Sequence, residues 1–177
     1  MSTTPLAAVR SSPLGWCLRR RPGNFAGFLI CAALISYGYY LQFVKGLEPC
    51  PLCIFQRLGI VGTGIMFLVA AIHHPARRWA AHLYGGLIAL VAVIGGSVSV
   101  RHVWLQHTPE SQRPACGPGL DFLINTFGPF DVVRRVLRGS GECGAIDWTF
   151  LGFSIPEWTL ACFIGLVIYA IYLSFQD

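Results

Sequence analysis

The residues with the most chemistry to offer fall in one short segment, Glu48-Pro-Cys-Pro-Leu-Cys-Ile-Phe-Gln-Arg57. Two cysteines separated by two residues can cycle between dithiol and disulfide, and the same spacing is half of many zinc sites. Pro51 has a φ fixed near the helical value, and the N–H it lacks is one that a first helical position does not need, so a helix is expected to begin at the motif itself. That start puts Cys53 in the first turn, where unpaired backbone N–H groups carry partial positive charge and stabilise a thiolate. Arg57 follows one turn later on the face of Cys53. An arginine at the head of an apolar helix needs water or a partner. A thiolate would serve, and so would the carbonyl oxygen of a quinone whose ring and tail partition into the bilayer. The plain alternative is a snorkelling membrane anchor.

A second pair of cysteines stands in glycine-rich surroundings, Cys116 in Ala115-Cys-Gly-Pro-Gly119 and Cys143 in Gly139-Ser-Gly-Glu-Cys-Gly144. Such a setting suits an exchange disulfide, in which one sulfur is open to attack from outside and the other reaches the first pair. A static disulfide closing a long loop is the competing reading. Four thiolates could also hold zinc, but the second pair is 27 residues apart and does not repeat the tight spacing, so no metal is expected. The stretch Arg101-His-Val-Trp-Leu-Gln-His107 brings His102 and His107 to the level of the Cys-x-x-Cys motif. Either could polarise a quinone carbonyl or handle its protons, and either could instead be a solvated interfacial residue. Cys17, Cys31 and Cys162 read as ordinary apolar or reduced thiols.

These residues need elements to position them, and composition says which kind. The 177 residues are 54% hydrophobic and only 12% charged, with mean hydropathy +0.59, far from the soluble norm of about a quarter charged. Four apolar runs are long enough to span a bilayer, about 25–44, 54–72, 79–100 and 158–175. The third carries Gly85, Gly86, Gly95, Gly96, Ser97 and Ser99, small residues that let helices approach closely. The expected fold is therefore all-α, an integral membrane four-helix bundle in which residues 1–177 form one domain. No apolar core or A-x-A site marks a signal peptide in Met1–Arg21, so the first run is expected to remain as an anchor.

The net charge of +5 lies in short connecting segments and builds no nucleic-acid patch. Arg10, Arg19, Arg20, Arg21, Arg77 and Arg78 are packed into short flanking segments on one side. The other side has seven, Lys45, Arg57, Arg101, Arg113, Arg134, Arg135 and Arg138, so the raw count decides nothing, but four of the seven are spread deep in one long loop. That distribution favours cytoplasmic termini. Both cysteine pairs then lie outside, in periplasmic loops of about 45–53 and 101–157, where disulfides persist. Within the long loop, Asp131 offers an N-cap to a short helix with Val132, Val133, Val136 and Leu137 on one face and arginines on the other, suited to the membrane interface. Trp104, Trp148 and Trp158 fall where aromatic belts form.

In this arrangement the chain resembles the DsbB family of bacterial inner-membrane disulfide-forming proteins. The resemblance runs from about residue 24 nearly to the end. It is carried by Cys-Pro-Leu-Cys-Ile-Phe-Gln-Arg, Arg-His-x-Trp-Leu-Gln, Ala-Cys-Gly-Pro-Gly-Leu, and Gly-Glu-Cys followed by Trp148-x-Phe-Leu-Gly-Phe-Ser-Ile-Pro-x-Trp158. The resemblance implies that Cys50 and Cys53 form the quinone-proximal pair. Cys116 and Cys143 would form the pair that exchanges with a soluble thioredoxin-fold partner, DsbA, with Cys116 the site of the mixed disulfide. It also implies that Arg57 contacts the quinone, ubiquinone being favoured over menaquinone, and it leaves the quinone-side histidine open between His102 and His107. Gln56 departs from members with glutamate there, which puts a carboxylate role in doubt. A vitamin K epoxide reductase-like enzyme also joins four spans to a Cys-x-x-Cys, but in that family the motif comes late in the bundle.

Overall fold

The computed structural model describes residues 20–73, 75, 77–112, 120–139, 141–146 and 148–176. Four helices in it are long and apolar enough to cross a membrane: α1 (Arg20–Lys45), α2 (Pro51–His73), α3 (Arg78–His107) and, last in the chain, α6 (Ile155–Phe175). The protein is thus an all-α, multi-pass membrane bundle. α1 packs along α2, α2 along α3, and α3 most extensively along α6. Large apolar side chains cover the outside, such as Phe43 (76% exposed), Ile72 and Phe175, the pattern of a bundle whose solvent is lipid. A core built on Ile60, Phe67, Ile88, Phe163 and Leu166 fills the middle.

Close approach at the centre depends on glycine. A Cβ at Gly59 would lie 2.8 Å from Gly95 Cα, and one at Gly95 would lie 2.5 Å from Phe163 Cζ. The α2–α3–α6 contact is therefore set by backbones and one aromatic ring, as small residues permit in membrane helices. Of the small residues in α3, Gly85, Gly95, Gly96 and Ser99 are buried, while Gly86 and Ser97 face outward.

Local signals account for the helix ends. Gly46, at φ 68°, stops α1, and the Leu47 N–H turns back to Leu41 O at 3.2 Å. α6 begins at Ile155, before the apolar run proper, because Ser154, Pro156 and Glu157 make a start signal: the Ser154 N–H donates to the Glu157 carboxylate at 2.7 Å. α3 continues past its apolar run as far as His107.

Among the described residues, the long connection between α3 and α6 carries two short helices, α4 (Leu120–Thr126) and α5 (Pro129–Arg138), and two 3₁₀ turns, Glu110–Gln112 and Gly141–Gly144. A hairpin follows, with Thr149–Phe150 (β1) antiparallel to Phe153–Ser154 (β2). Leu151 (φ 52°) and Gly152 (φ 83°) form its tip, the two positive φ values of a twisted hairpin turn. The expectation for α5 needs one correction. Asp131 is not the N-cap: Gly128 is, with Pro129 in the first turn, and the Val132 N–H donates to Gly128 O at 3.0 Å. Proline's fixed φ starts the helix earlier than the apolar pattern does. Val132 and Val136 pack into a second core with Leu52, Leu105 and Cys143, while Phe130, Val133 and Leu137 stay exposed. This second core seats the loop on the mouths of α2 and α3.

Candidate functional site

The site grows from the start of α2. Cys50 stands one residue ahead of the helix, and its carbonyl accepts the Ile54 N–H at 3.2 Å. Its Sγ accepts the Cys53 N–H at 3.4 Å, so the sulfur does what a capping oxygen does elsewhere. The Cys53 backbone N–H at the helix end therefore points at Cys50, while Cys53 sits in the first turn. Cys50 and Cys53 carry separate thiol sulfurs.

Against them lies His102, buried on α3. Its Nε2 is 3.0 Å from the carbonyl oxygen of Cys143, and a carbonyl can only accept, so Nε2 carries the proton. Nδ1 is then an acceptor, and it faces the Gln56 amide at 3.2 Å. The ring also touches both sulfurs, Cys50 Sγ at 3.8 Å from Nε2 and Cys53 Sγ at 4.0 Å from Nδ1. A single imidazole thus stands between the two thiols, its Nε2 directed at a backbone carbonyl and its Nδ1 at an amide.

Cys143 arrives from the 3₁₀ turn and is buried. Its Sγ, Cys50 Sγ and a ring nitrogen of His102 lie within 4.8 Å of one another. The loop is held there by side chains of α3. Gln106 donates from Nε2 to Ala145 O at 3.4 Å and accepts from Ser154 Oγ at 2.7 Å. Arg101 donates to Leu137 O at 3.1 Å and to Arg138 O at 2.9 Å, tying down the carbonyl end of α5.

Arg57 is drawn to α1. It donates to Gln42 Oε1 at 2.5 Å and to Gly38 O at 3.0 Å, and its guanidinium stands 5.1 Å from the centre of the Tyr39 ring. These two bonds use part of a five-donor group. The same side chain borders a cavity of about 400 Å³ that Cys53 and His102 also line. Much of the remaining wall is apolar, including Leu34, Ile60, Trp148 and Trp158. Size and lining match a pocket for a small, mostly apolar ligand with a polar edge, and a quinone has that character.

Of the residues singled out in the sequence, Cys50, Cys53, Cys143, Arg57 and His102 come together. His107 does not join them. It is exposed, accepts no part in the sulfur cluster, and lies near Val103 O (2.9 Å) and Glu157 (3.9 Å). Cys116 lies outside the described residues. Sequence reasoning treated Gln56 only as a departure from a family pattern and did not single out Gln106, Gln42 or Arg101 as holders of the site. The available signal was polarity: Gln56 and Gln106 are amides in or beside apolar helices, and buried amides need partners.

The family model for Disulfide bond formation protein DsbB matches residues 20–173. A protein of Xanthomonas axonopodis pv. citri named Disulfide bond formation protein B is 44% identical over 165 residues, 93% of this chain and 95% of that one. Its namesake in Methylococcus capsulatus is 50% identical over 140 residues, 79% of this chain and 85% of that one. The Xylella fastidiosa protein of the same name is 43% identical over 163 residues, covering 92% and 93%.

Proposed function

Because this chain belongs to the DsbB family of disulfide bond formation proteins, we propose that it is a protein-dithiol:quinone oxidoreductase that reoxidises a soluble, DsbA-like thioredoxin-fold partner. In this reading it sits in the bacterial inner membrane with both termini in the cytoplasm and the cysteine pairs outside, and its acceptor is membrane quinone, ubiquinone in preference to menaquinone. The observation that carries the proposal is the placing of His102 between Cys50 and Cys53, with Cys143 within reach, beside a cavity bordered by Arg57.

The exchange runs in balanced steps. The partner's dithiol attacks the Cys116–Cys143 disulfide at Cys116, and resolution leaves the partner oxidised and the loop pair as two thiols. The Cys143 thiolate attacks Cys50 of the Cys50–Cys53 disulfide, so that a Cys143–Cys50 bond forms and Cys53 leaves as a thiolate. Cys116 then attacks Cys143, which restores the loop disulfide and leaves Cys50 reduced. The separation of Cys50 and Cys143 sulfurs, within 4.8 Å, supports this route. His102 assists at both atoms: its Nε2–H faces Cys50 sulfur and steadies a thiolate, and Nδ1 can take the proton of the Cys53 thiol. A quinone bound in the cavity supplies an acceptor for two electrons and two protons. Arg57 and the apolar wall would hold it, and Arg57 is kept in place by Gln42 and Gly38.

The test is quinone consumption by the purified protein when given a reduced dithiol protein, with ubiquinone and menaquinone analogues compared. Turnover is expected with the wild type and with Cys17→Ser, and none with Cys53→Ser. Undiminished turnover without Cys53 would reject the assignment.

A further inference from the structure

We propose that the reduced protein binds a soft divalent cation such as zinc through Cys50, Cys143 and His102, and that the bound ion stops electron transfer by holding both sulfurs as thiolates. The donor atoms of these residues lie within 4.8 Å of one another, and the Cys50 Sγ to His102 Nε2 distance is already 3.8 Å. In a tetrahedral site, zinc–sulfur bonds of about 2.3 Å and zinc–nitrogen bonds of about 2.0 Å put neighbouring donors roughly 3.5–4 Å apart. A closing movement of about an ångström therefore completes the set. His102 and Cys143 are buried and Cys50 is half-buried, so the ion would be shielded from water on most sides. Cys53 is not a member. Its sulfur lies against Nδ1, the other nitrogen of the ring from the one that faces Cys50.

The site also has an outer shell. The Cys53 N–H already points at Cys50 Sγ, and such a bond strengthens when the sulfur is a thiolate. Metal binding moves the imidazole proton from Nε2 to Nδ1, where the Gln56 amide, turned to present its oxygen, accepts it. Cys143 O loses its donor in the exchange, which limits affinity. The balance is two thiol protons released for each ion bound, with no change in oxidation state. Cys50 and Cys143 belong to different pairs in the proposed exchange, so both sulfurs are free only when both disulfides are reduced and four thiols are present. Reduced protein that accumulates when acceptor is scarce would thus be the form that zinc captures.

The effect on turnover rests on the redox reading given above, but the binding does not, and the experiment separates them. The full-length protein in detergent, reduced with a phosphine, is titrated with zinc against a chromophoric indicator. One ion per chain and two protons released are expected, with no binding to the oxidised protein. Cobalt in place of zinc should give a thiolate-to-metal charge-transfer band. Cys143→Ser and His102→Gln should each weaken binding by more than the roughly 10–100-fold expected of an outer-shell change such as Gln56→Leu, while Cys53→Ser should bind as the wild type does. Equal binding to oxidised protein, a cobalt spectrum lacking the thiolate band, or affinity unchanged in both Cys143→Ser and His102→Gln would overturn the proposal. Because Cys53→Ser abolishes turnover in the redox reading and spares the metal site in this one, the two readings fail separately.

Discussion

His102 and Arg57 each serve two masters, and substitutions should reveal both. His102 donates to the Cys143 carbonyl and accepts beside Gln56 and Cys53. His102→Ala removes the imidazole bond to the Cys143 carbonyl, expected to cost about 0.5–1.5 kcal/mol of stability. It should also lower turnover by about 10²–10⁴-fold through loss of proton handling. His102→Gln can restore the donor without the proton chemistry, so recovered stability with turnover still depressed is the expected result in paired unfolding and quinone-reduction assays. His107→Ala, exposed and away from the sulfurs, should change stability by no more than about 0.5 kcal/mol. Arg57→Lys keeps the charge but loses the fork that reaches Gln42 and Gly38. The KM for quinone should rise more than kcat falls, and an unchanged KM would remove Arg57 from the pocket's role.

At the scale of elements, α5 and the turn bearing Cys143 are seated on α3. Arg101 binds the last carbonyls of α5, where a cation complements the helix dipole, an effect of about 0.3–1 kcal/mol at an exposed site. Arg101→Gln is expected to loosen α5 and the turn bearing Cys143. Hydrogen exchange of α5 and alkylation of Cys143 in the reduced protein should both quicken, while quinone reduction driven by a small dithiol acting directly on Cys50 and Cys53 changes little. Unaltered exchange in α5 would show that the second core alone seats the loop. Within the bundle, Gly95→Val would drive a branched side chain into Phe163 and against Gly59. Overpacking of about 1–3 kcal/mol is expected, read as earlier thermal unfolding in detergent.

For the molecule as a whole, the proposed orientation rests on a four-span bundle, which returns the chain to the side from which it entered, and on the arginine distribution that favours the cytoplasm for that side. A green fluorescent protein fused at the C-terminus is expected to fluoresce, and alkaline phosphatase placed there is expected to be inactive. A reporter inserted near Ser111, exposed beyond the end of α3, should show the opposite pair of results. Reversal of both would put the cysteine pairs in a reducing compartment and end the disulfide-forming reading. The buried polar residues of the site, His102, Gln56, Gln106 and Ser154, lie at the end that carries the Cys143 turn, while a cluster of apolar side chains including Ile60, Phe67, Ile88, Phe163 and Leu166 fills the middle of the bundle.

Sequence alone determined the spans, the helix start at Pro51 and the placing of Cys50, Cys53 and Cys143 near one end. A long uncharged run in lipid can satisfy its backbone only as a helix, and proline and cysteine act within a few residues of themselves. It could not choose between His102 and His107, because both follow the same apolar run and differ only in which way α3 is rotated against α2. Nor could it see that Arg57 would reach back to Gly38 and Gln42 on α1, that Gln56 would orient the imidazole, or that Arg101 would hold α5. Those choices join residues far apart in the chain. They follow from glycine-limited helix approach and from a loop folding back onto the bundle, and only packing in three dimensions selects them.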